Sequence, residues 1–259
     1  MKSTYSPAFD SDSYPQKMVG YCLKAPDSWC ETPQHHHRKG QLVMPLCGYV
    51  QVHINNTLWV VPNGSAIWIP GQAHHRCIFS SRAEAVVLFI DPSLVVLSND
   101  GYTLSVTPLL RELMAHFSRQ NPNYVPEGPM DRMVQVIVDE LLVMPGTQLN
   151  FPLSVDPRLK AIAHKLLEVP GDRRTVAQWA AEMAMSESTL TRLVKQEINM
   201  SFGRWRGQLR LLMALQKLSV GEPVQRVSDS LGYDSVSAFI TFFKNALGCS
   251  PTKYMQSLQ

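Results

Sequence analysis

The chain has 259 residues, enough for two domains, and 24 Lys+Arg against 21 Asp+Glu give it a net charge of +3. Five cysteines, Cys22, Cys30, Cys47, Cys77 and Cys249, are odd in number and lack C-x-x-C spacing, which excludes a disulfide framework and a zinc finger and fits a reducing cytoplasm. No apolar run reaches the roughly 18 residues that span a bilayer; a secretory signal, a P-loop, a dinucleotide fingerprint and a nucleophile elbow are all missing, so a cytoplasmic protein is expected.

In chain order, the first 15 residues are polar and broken by Pro7 and Pro15, and residues 1–20 are expected to be disordered. Short β-rich runs follow within residues 21–98: Leu42–Met44, Tyr49–Ile54, Leu58–Val61, Ala66–Ile69 and Ala85–Ile90. Turn signals at Asn55-Asn56, Pro62-Asn63-Gly64, Pro70-Gly71 and Ser80-Ser81 separate them. This pattern predicts a small β-barrel or jelly roll.

Within the barrel, His35-His36-His37 precedes Gln41, and Gly64, Trp68-Ile69-Pro70 and His74-His75-Arg76 come later. The arrangement resembles the cupin family, whose His-x-His and later His, with a glutamate, hold a divalent metal. The resemblance maps His35, His37 and His75 onto the three histidines and Gln41 onto the glutamate. A neutral amide is a poorer ligand than a carboxylate for hard cations, but three imidazoles can hold Zn, Ni or Fe. The other reading is a polar pocket lining that requires no cofactor, and both stay open here. The expected mouth is His35, His37, Gln41 and His75, with Trp59 or Trp68 nearby, taking a small-molecule or metal effector.

Residues 99–145 read as helical: Leu109-Leu110, Leu113-Met114 and Phe117 fit one amphipathic helix, and Met133-Val134, Val136-Ile137 and Leu141-Leu142 another. Residues 146–156, beside the breakers Pro145, Gly146, Pro152 and Pro157, read as a linker.

Residues 157–259 hold two helix-turn-helix patterns. In the first, Thr175 is an N-cap and Val176, Trp179, Ala180 and Met183 follow at helical spacing. Ser186 caps a second helix, with Leu190, Leu193, Val194 and Ile198 inward and Ser188, Thr191, Arg192 and Lys195 outward. Arg204 to Ser219 predicts a connecting helix with Trp205, Leu209, Leu212, Met213, Gln216 and Leu218 as its buried stripe. In the second pattern Pro223 opens a helix, Val224, Val227 and Leu231 face inward, and Gly232 ends it. Asp234 or Ser235 caps the last helix, with Phe239, Phe243, Ala246 and Leu247 inward and Ser237, Thr241, Lys244 and Asn245 outward. Tandem units at fixed spacing suit two neighbouring stretches of major groove. The candidate DNA-binding residues are Ser186, Ser188, Thr189, Thr191, Arg192 and Lys195 on the first reading helix, and Ser235, Ser237, Ala238, Thr241 and Lys244 on the second. Charge agrees: residues 156–259 carry 14 Lys+Arg against 9 Asp+Glu, and residues 1–155 carry 10 against 12.

The tandem unit resembles the DNA-binding domain of the AraC/XylS family of bacterial transcription regulators. Trp179-Ala180, Met185-Ser186, Arg192-Leu193, Ser201-Phe202, Leu231-Gly232-Tyr233, Phe243-Lys244, Gly248 and Ser250-Pro251 carry the likeness. Three positions depart from the family pattern: Asn199 for Gly, Ser228 for Ala, and Thr241 where many members carry an outward Arg, which argues against guanine reading there. The resemblance implies an α+β protein of two domains, an N-terminal cupin-like barrel with following helices and a C-terminal all-α domain. It implies promoter DNA, an effector, a second copy of the chain and RNA polymerase as partners, with the helices of 99–145 either pairing subunits or packing on the barrel. It also implies no catalytic activity. The alternative, a cupin metalloenzyme with an accessory helical domain, leaves the basic C-terminal charge and the paired outward faces unexplained.

Overall fold

Strands in the first half pair so that most are buried on both faces. The computed structural model describes residues 3–4, 9–95, 97–147 and 149–256. They fall into two units, Met1–Asn55 with Trp59–Leu149, and Asn56–Leu58 with Asn150–Gln259.

The first unit is a two-sheet sandwich. Its strands are β1 (Ser3–Thr4), β2 (Met18–Lys24), β3 (Cys30–Glu31), β4 (Gly40–Cys47), β5 (Tyr49–Ile54), β6 (Thr57–Pro62), β7 (Ser65–Ile69), β8 (His75–Phe79), β9 (Glu84–Ile90), β10 (Tyr102–Ser105) and β11 (Gly146–Thr147). One sheet runs β1-β3-β8-β5-β6 and the other β11-β10-β7-β4-β9-β2. The five runs expected from sequence are β4, β5, β6, β7 and β9. Because side chains alternate across a strand, the second sheet feeds two cores. Val19, Val43, Ile67, Val87 and Phe89 meet Val50, Val52, Cys77 and Phe79 of the first sheet inside the sandwich. Met18, Leu42, Ala66, Trp68 and Leu88 face the other way and pack against α1 (Pro108–Phe117) and α2 (Pro129–Val143). Leu110, Met114, Ile137 and Leu141 are the buried helical partners, whereas Leu109 and Leu142 are exposed.

Three boundaries differ from the sequence reading. The disorder expected over residues 1–20 falls partly on 1–2 and 5–8, outside the described residues. Residues 9–20 have defined structure: Asp10 caps a single 3-10 turn, Ser11–Ser13, and β2 starts at Met18. Second, β10 lies inside the span read as purely helical. Third, the two units divide at Leu149/Asn150, with β11 before the division and β12 (Asn150–Pro152) after it, so about half of the described part of the span read as a linker is strand, with Gln148 outside the described residues.

The second unit is helical: α3 (Pro157–Glu168), α4 (Val176–Glu182), α5 (Glu187–Ile198), α6 (Phe202–Ser219), α7 (Val224–Ser230), α8 (Val236–Leu247) and α9 (Pro251–Gln256). Side chains cap the starts as the sequence indicates at Thr175, Ser186 and Ser235, and the structure adds Gln178 and Ser201. Thr175 and Gln178 form a reciprocal capping box on α4, and Ser186, Ser201 and Ser235 accept from Thr189, Arg204 and Ala238 N–H at α5, α6 and α8. Asn199 ends α5 in the left-handed conformation at φ 58°, which explains why asparagine serves where the family pattern has glycine. The inward set of α8 is Phe239 and Phe243, while Ala246 is exposed, because α8 packs along a narrower stripe than expected. At the centre, α6 buries Phe202, Trp205, Leu209, Leu211, Leu212, Met213, Ala214, Leu215 and Leu218. Trp205 stacks on Phe151 at 5.0 Å and donates to Pro152 O at 3.0 Å. Among the described residues no helix is long and apolar enough to cross a membrane.

Gly232 sits at φ +74°, and a Cβ there would lie 2.3 Å from Gly171 O. Gly232→Ala is therefore expected to destabilise the helical unit by about 1–3 kcal/mol. Urea unfolding of the full chain, followed by tryptophan fluorescence, checks this; an unchanged midpoint contradicts it.

Candidate functional sites

The helical unit presents two outward faces. Along α5, Glu187, Ser188, Thr191, Arg192 and Lys195 are exposed while Leu190, Val194 and Ile198 are buried. The Ser186 hydroxyl is engaged at the cap, 2.9 Å from Ser188 Oγ and 2.8 Å from Thr189 Oγ1, and Thr189 is half-buried. Arg192 and Lys195 are thus the cations of this face, with Glu187 as an anion in its first turn. Along α8, Ser237, Ala238, Thr241 and Lys244 are exposed. Thr241 Oγ1 donates to Ser237 O at 2.9 Å, and Ser235 is occupied as the cap. Lys244 is the one cation in the α8 sequence.

Several other arginines of this unit hold the fold. Arg174 pairs with Asp172 at 2.6 Å and with Glu182, which also takes Lys165, and its guanidinium lies 3.6 Å over the Trp179 ring. Arg206 donates to Arg174 O at 2.7 Å and Arg210 to Asp172 O at 2.9 Å. The Lys165 contact, together with Arg174, holds the Glu182 carboxyl below its ordinary range. The ion pairs cancel within the net charge of the unit, whereas Arg206 and Arg210 hold two of its positive charges against backbone carbonyls of residues 170–174.

The sandwich contains a cavity of about 230 Å³ at the histidine cluster. His35 and His75 are joined by a bridge, with N–H to O distances of 3.0 Å and 2.9 Å. One ring nitrogen from each of His35, His37 and His75 lies within 4.8 Å of the others. Each Nδ1 sits on a backbone carbonyl: Pro33 O at 2.8 Å, Lys39 O at 2.5 Å and Ala73 O at 2.8 Å. Gln41 Oε1 lies 3.0 Å from His37 Nε2 and 2.8 Å from His75 Nε2. Burial pushes the His75 imidazole down to about 3 and lowers His37, so both are neutral near pH 7.

The structure thus brings His35, His37, Gln41 and His75 together, the first three lining the cavity and His75 joined to them through Gln41, but not the tryptophans. Trp68 points to the opposite face of β7, packs under the helices and donates to Ser98 O at 2.9 Å. Trp59 is buried in the sandwich core and does not line the cavity. Aromatic residues that sequence reasoning passed over take their place. Phe9 stacks on Phe89 at 5.8 Å and lies 5.0 Å from Tyr21, and Phe89 meets His37 edge-on at 5.0 Å. Cys77 also lines the cavity, its thiol pushed up to about 12 by burial. Lys39 is fully buried, and its Nζ donates to Ser11 O and Tyr14 O, both at 2.8 Å, which ties the segment around Phe9 to the histidine loop. The spacing of Phe9, Tyr14 and Tyr21 was the available signal, hidden by a polar, proline-broken context.

Comparison with known proteins gives a match to the helix-turn-helix domain family over residues 179–257. The chain is 39% identical to the HTH-type transcriptional regulator NimR of Escherichia coli K12, covering 96% of this chain and 92% of that protein. It is 37% identical to GadX of Escherichia coli K12 over 32% of this chain and 30% of that one. ToxT from Vibrio cholerae O395 is a looser structural likeness: 14% identical, 94% and 98% covered, TM-score 0.40.

The buried histidines carry a pH signature. His75 binds its proton near pH 3 when folded and near 6.5 when unfolded. Between those values the unfolded chain takes up the proton first. The stability is complete above pH 6.5 and is lost as pH falls toward 3, by about 2 kcal/mol at pH 5 from this residue. With chelator present, His75→Gln is expected to shrink the difference in unfolding free energy between pH 7 and pH 5 by that amount; an unchanged difference contradicts the assignment.

Proposed function

Since the chain belongs to the AraC/XylS family of helix-turn-helix transcriptional regulators, we propose that it reads promoter DNA through α5 and α8 and responds to an effector in the histidine cavity. The observation that carries the DNA reading is the exposed α5 face, where Arg192 and Lys195 stand outward from a capped helix whose opposite face is buried. Arg192 suits a guanine edge, and Lys195 and Lys244 suit phosphates. α8 offers few donors that could make bidentate base contacts, since Thr241 is bonded to its own helix. The half-site beneath α8 is therefore the more degenerate one, set by shape and phosphate contacts.

The protein acts as a regulator and not as an enzyme, as the match across nearly all of a transcriptional regulator requires. For the cavity, the fit favours a divalent cation as effector. Three imidazoles converge, and each is oriented by a backbone carbonyl on its other nitrogen, the usual outer support of a metal-bound histidine. His35, His37 and His75 would hold the ion through Nε2, and a bound cation would cross-link the β3–β4 loop to β8. The exposed Leu109, Val136 and Leu142 on α1 and α2 support pairing with a second copy.

Binding selection against random duplexes tests the DNA reading. Arg192→Ala is expected to cost about 1–3 kcal/mol at one base position and relax preference there alone. Fewer fixed bases are expected in the α8 half-site. Equal loss on every sequence would make Arg192 a phosphate contact, and equally sharp half-sites would overturn the asymmetry.

A further inference from the structure

Among the polar groups that line the cavity, Gln41 is the one that reaches two of the three clustered histidines. Each of the three rings has its Nδ1 against a backbone carbonyl, and a carbonyl only accepts. The ring proton is therefore on Nδ1 in all three, and in a neutral ring Nε2 is a bare lone pair. Gln41 touches two of these lone pairs at once, 3.0 Å from His37 and 2.8 Å from His75, from a side chain that is 5% exposed. An amide oxygen facing two lone pairs is repelled by both. The structure sets Gln41 Oε1 against both rings; a half-turn of the amide exchanges its oxygen and nitrogen, and the end that offers each bare Nε2 a hydrogen is the NH2. Gln41 thus satisfies two buried acceptors that would otherwise be left unpaired without a cation. An ionised carboxylate here could not donate to either ring.

This inference rests on the metal reading above. A cation takes the same two lone pairs, so the amide must turn its oxygen inward or withdraw. In either case the converging donors, three imidazoles and an amide, are uncharged; the Asp10 carboxylate lines the same cavity outside that cluster and accepts from Asp12 N–H. Hard cations depend on anionic oxygen, whereas borderline ions bind well to imidazole alone. We infer that Gln41 sets the selectivity of this site: by filling the ligand position with an amide in place of a carboxylate, it restricts the cavity to borderline divalent ions such as Zn2+, Ni2+ or Cu2+ and keeps Mn2+ and Mg2+ out.

The test is a titration of metal-stripped, untagged full-length protein with Zn2+ and, separately, Mn2+ by calorimetry. Wild type is expected to bind one Zn2+ and to bind Mn2+ at least roughly 100-fold more weakly. Gln41→Glu is expected to raise Mn2+ affinity roughly 10- to 100-fold and Zn2+ affinity by less, narrowing the Zn2+/Mn2+ ratio by about tenfold or more. Gln41→Met keeps the volume, adds no charge and removes the oxygen; its ratio is expected to widen, which keeps the test alive should the glutamate variant fail to fold. Wild-type Zn2+ binding that His37→Ala abolishes, with an unchanged ratio in both Gln41 variants, overturns the role of Gln41 and leaves the site standing. Folded wild type that takes no Zn2+ overturns the site itself.

Discussion

Burial of α6 is the constraint on which the reading of DNA depends. Nine apolar side chains of one 18-residue helix are packed away, Trp205 among them with no exposed surface. That helix lies between the two helix-turn-helix units and contacts both α5 and α7. At 1.5 Å per residue it spans about 27 Å, of the order of the roughly 34 Å between successive major-groove faces. A flexible connector would let each unit search alone. A buried helix fixes the spacing, so a bent duplex or a compromise in groove contact must absorb the difference. The arginine network around Asp172 and Glu182 serves the same rigidity, which is why it is unavailable to DNA.

In the sandwich the corresponding constraint is the set of carbonyls on the histidine Nδ1 atoms. Each fixes a tautomer and a ring direction before any ligand arrives, so little ordering cost remains for binding. Lys39 extends this order outward. A fully buried ammonium needs acceptors, and it finds them in Ser11 O and Tyr14 O, so the segment carrying Phe9 is held over the cavity.

The helical unit was legible because its signals are local. Caps at Thr175, Ser186 and Ser235 and the apolar period of α4, α5 and α8 lie within a few residues of the structure they specify. Its slips, Ala246 on α8 and, on α6, the start at Phe202 and the buried Leu211, Ala214 and Leu215 in place of Gln216, concern how far around each helix the packing reaches, which depends on neighbours distant in sequence. The barrel was half legible. Strand β7 is buried on both faces, so its residues carry no polar alternation to say which side Trp68 takes. Residues 9–17 read as a loose tail by composition for a related reason: their order comes from Lys39 and Phe89, 25 or more residues away. A lysine in sequence reads as surface, and only its place between two carbonyls says otherwise.

The central claim, that two rigidly spaced helices read adjacent grooves, is tested most directly by changing the spacing in the DNA. A selected site would be rebuilt with about five extra base pairs between its half-sites, half a helical turn, and binding measured at fixed salt. The account expects affinity to fall to that of the α5 half-site alone, because α6 cannot stretch or rotate to follow. Affinity unchanged by the insertion would contradict it, and would mean that α8 takes no fixed part in reading the site.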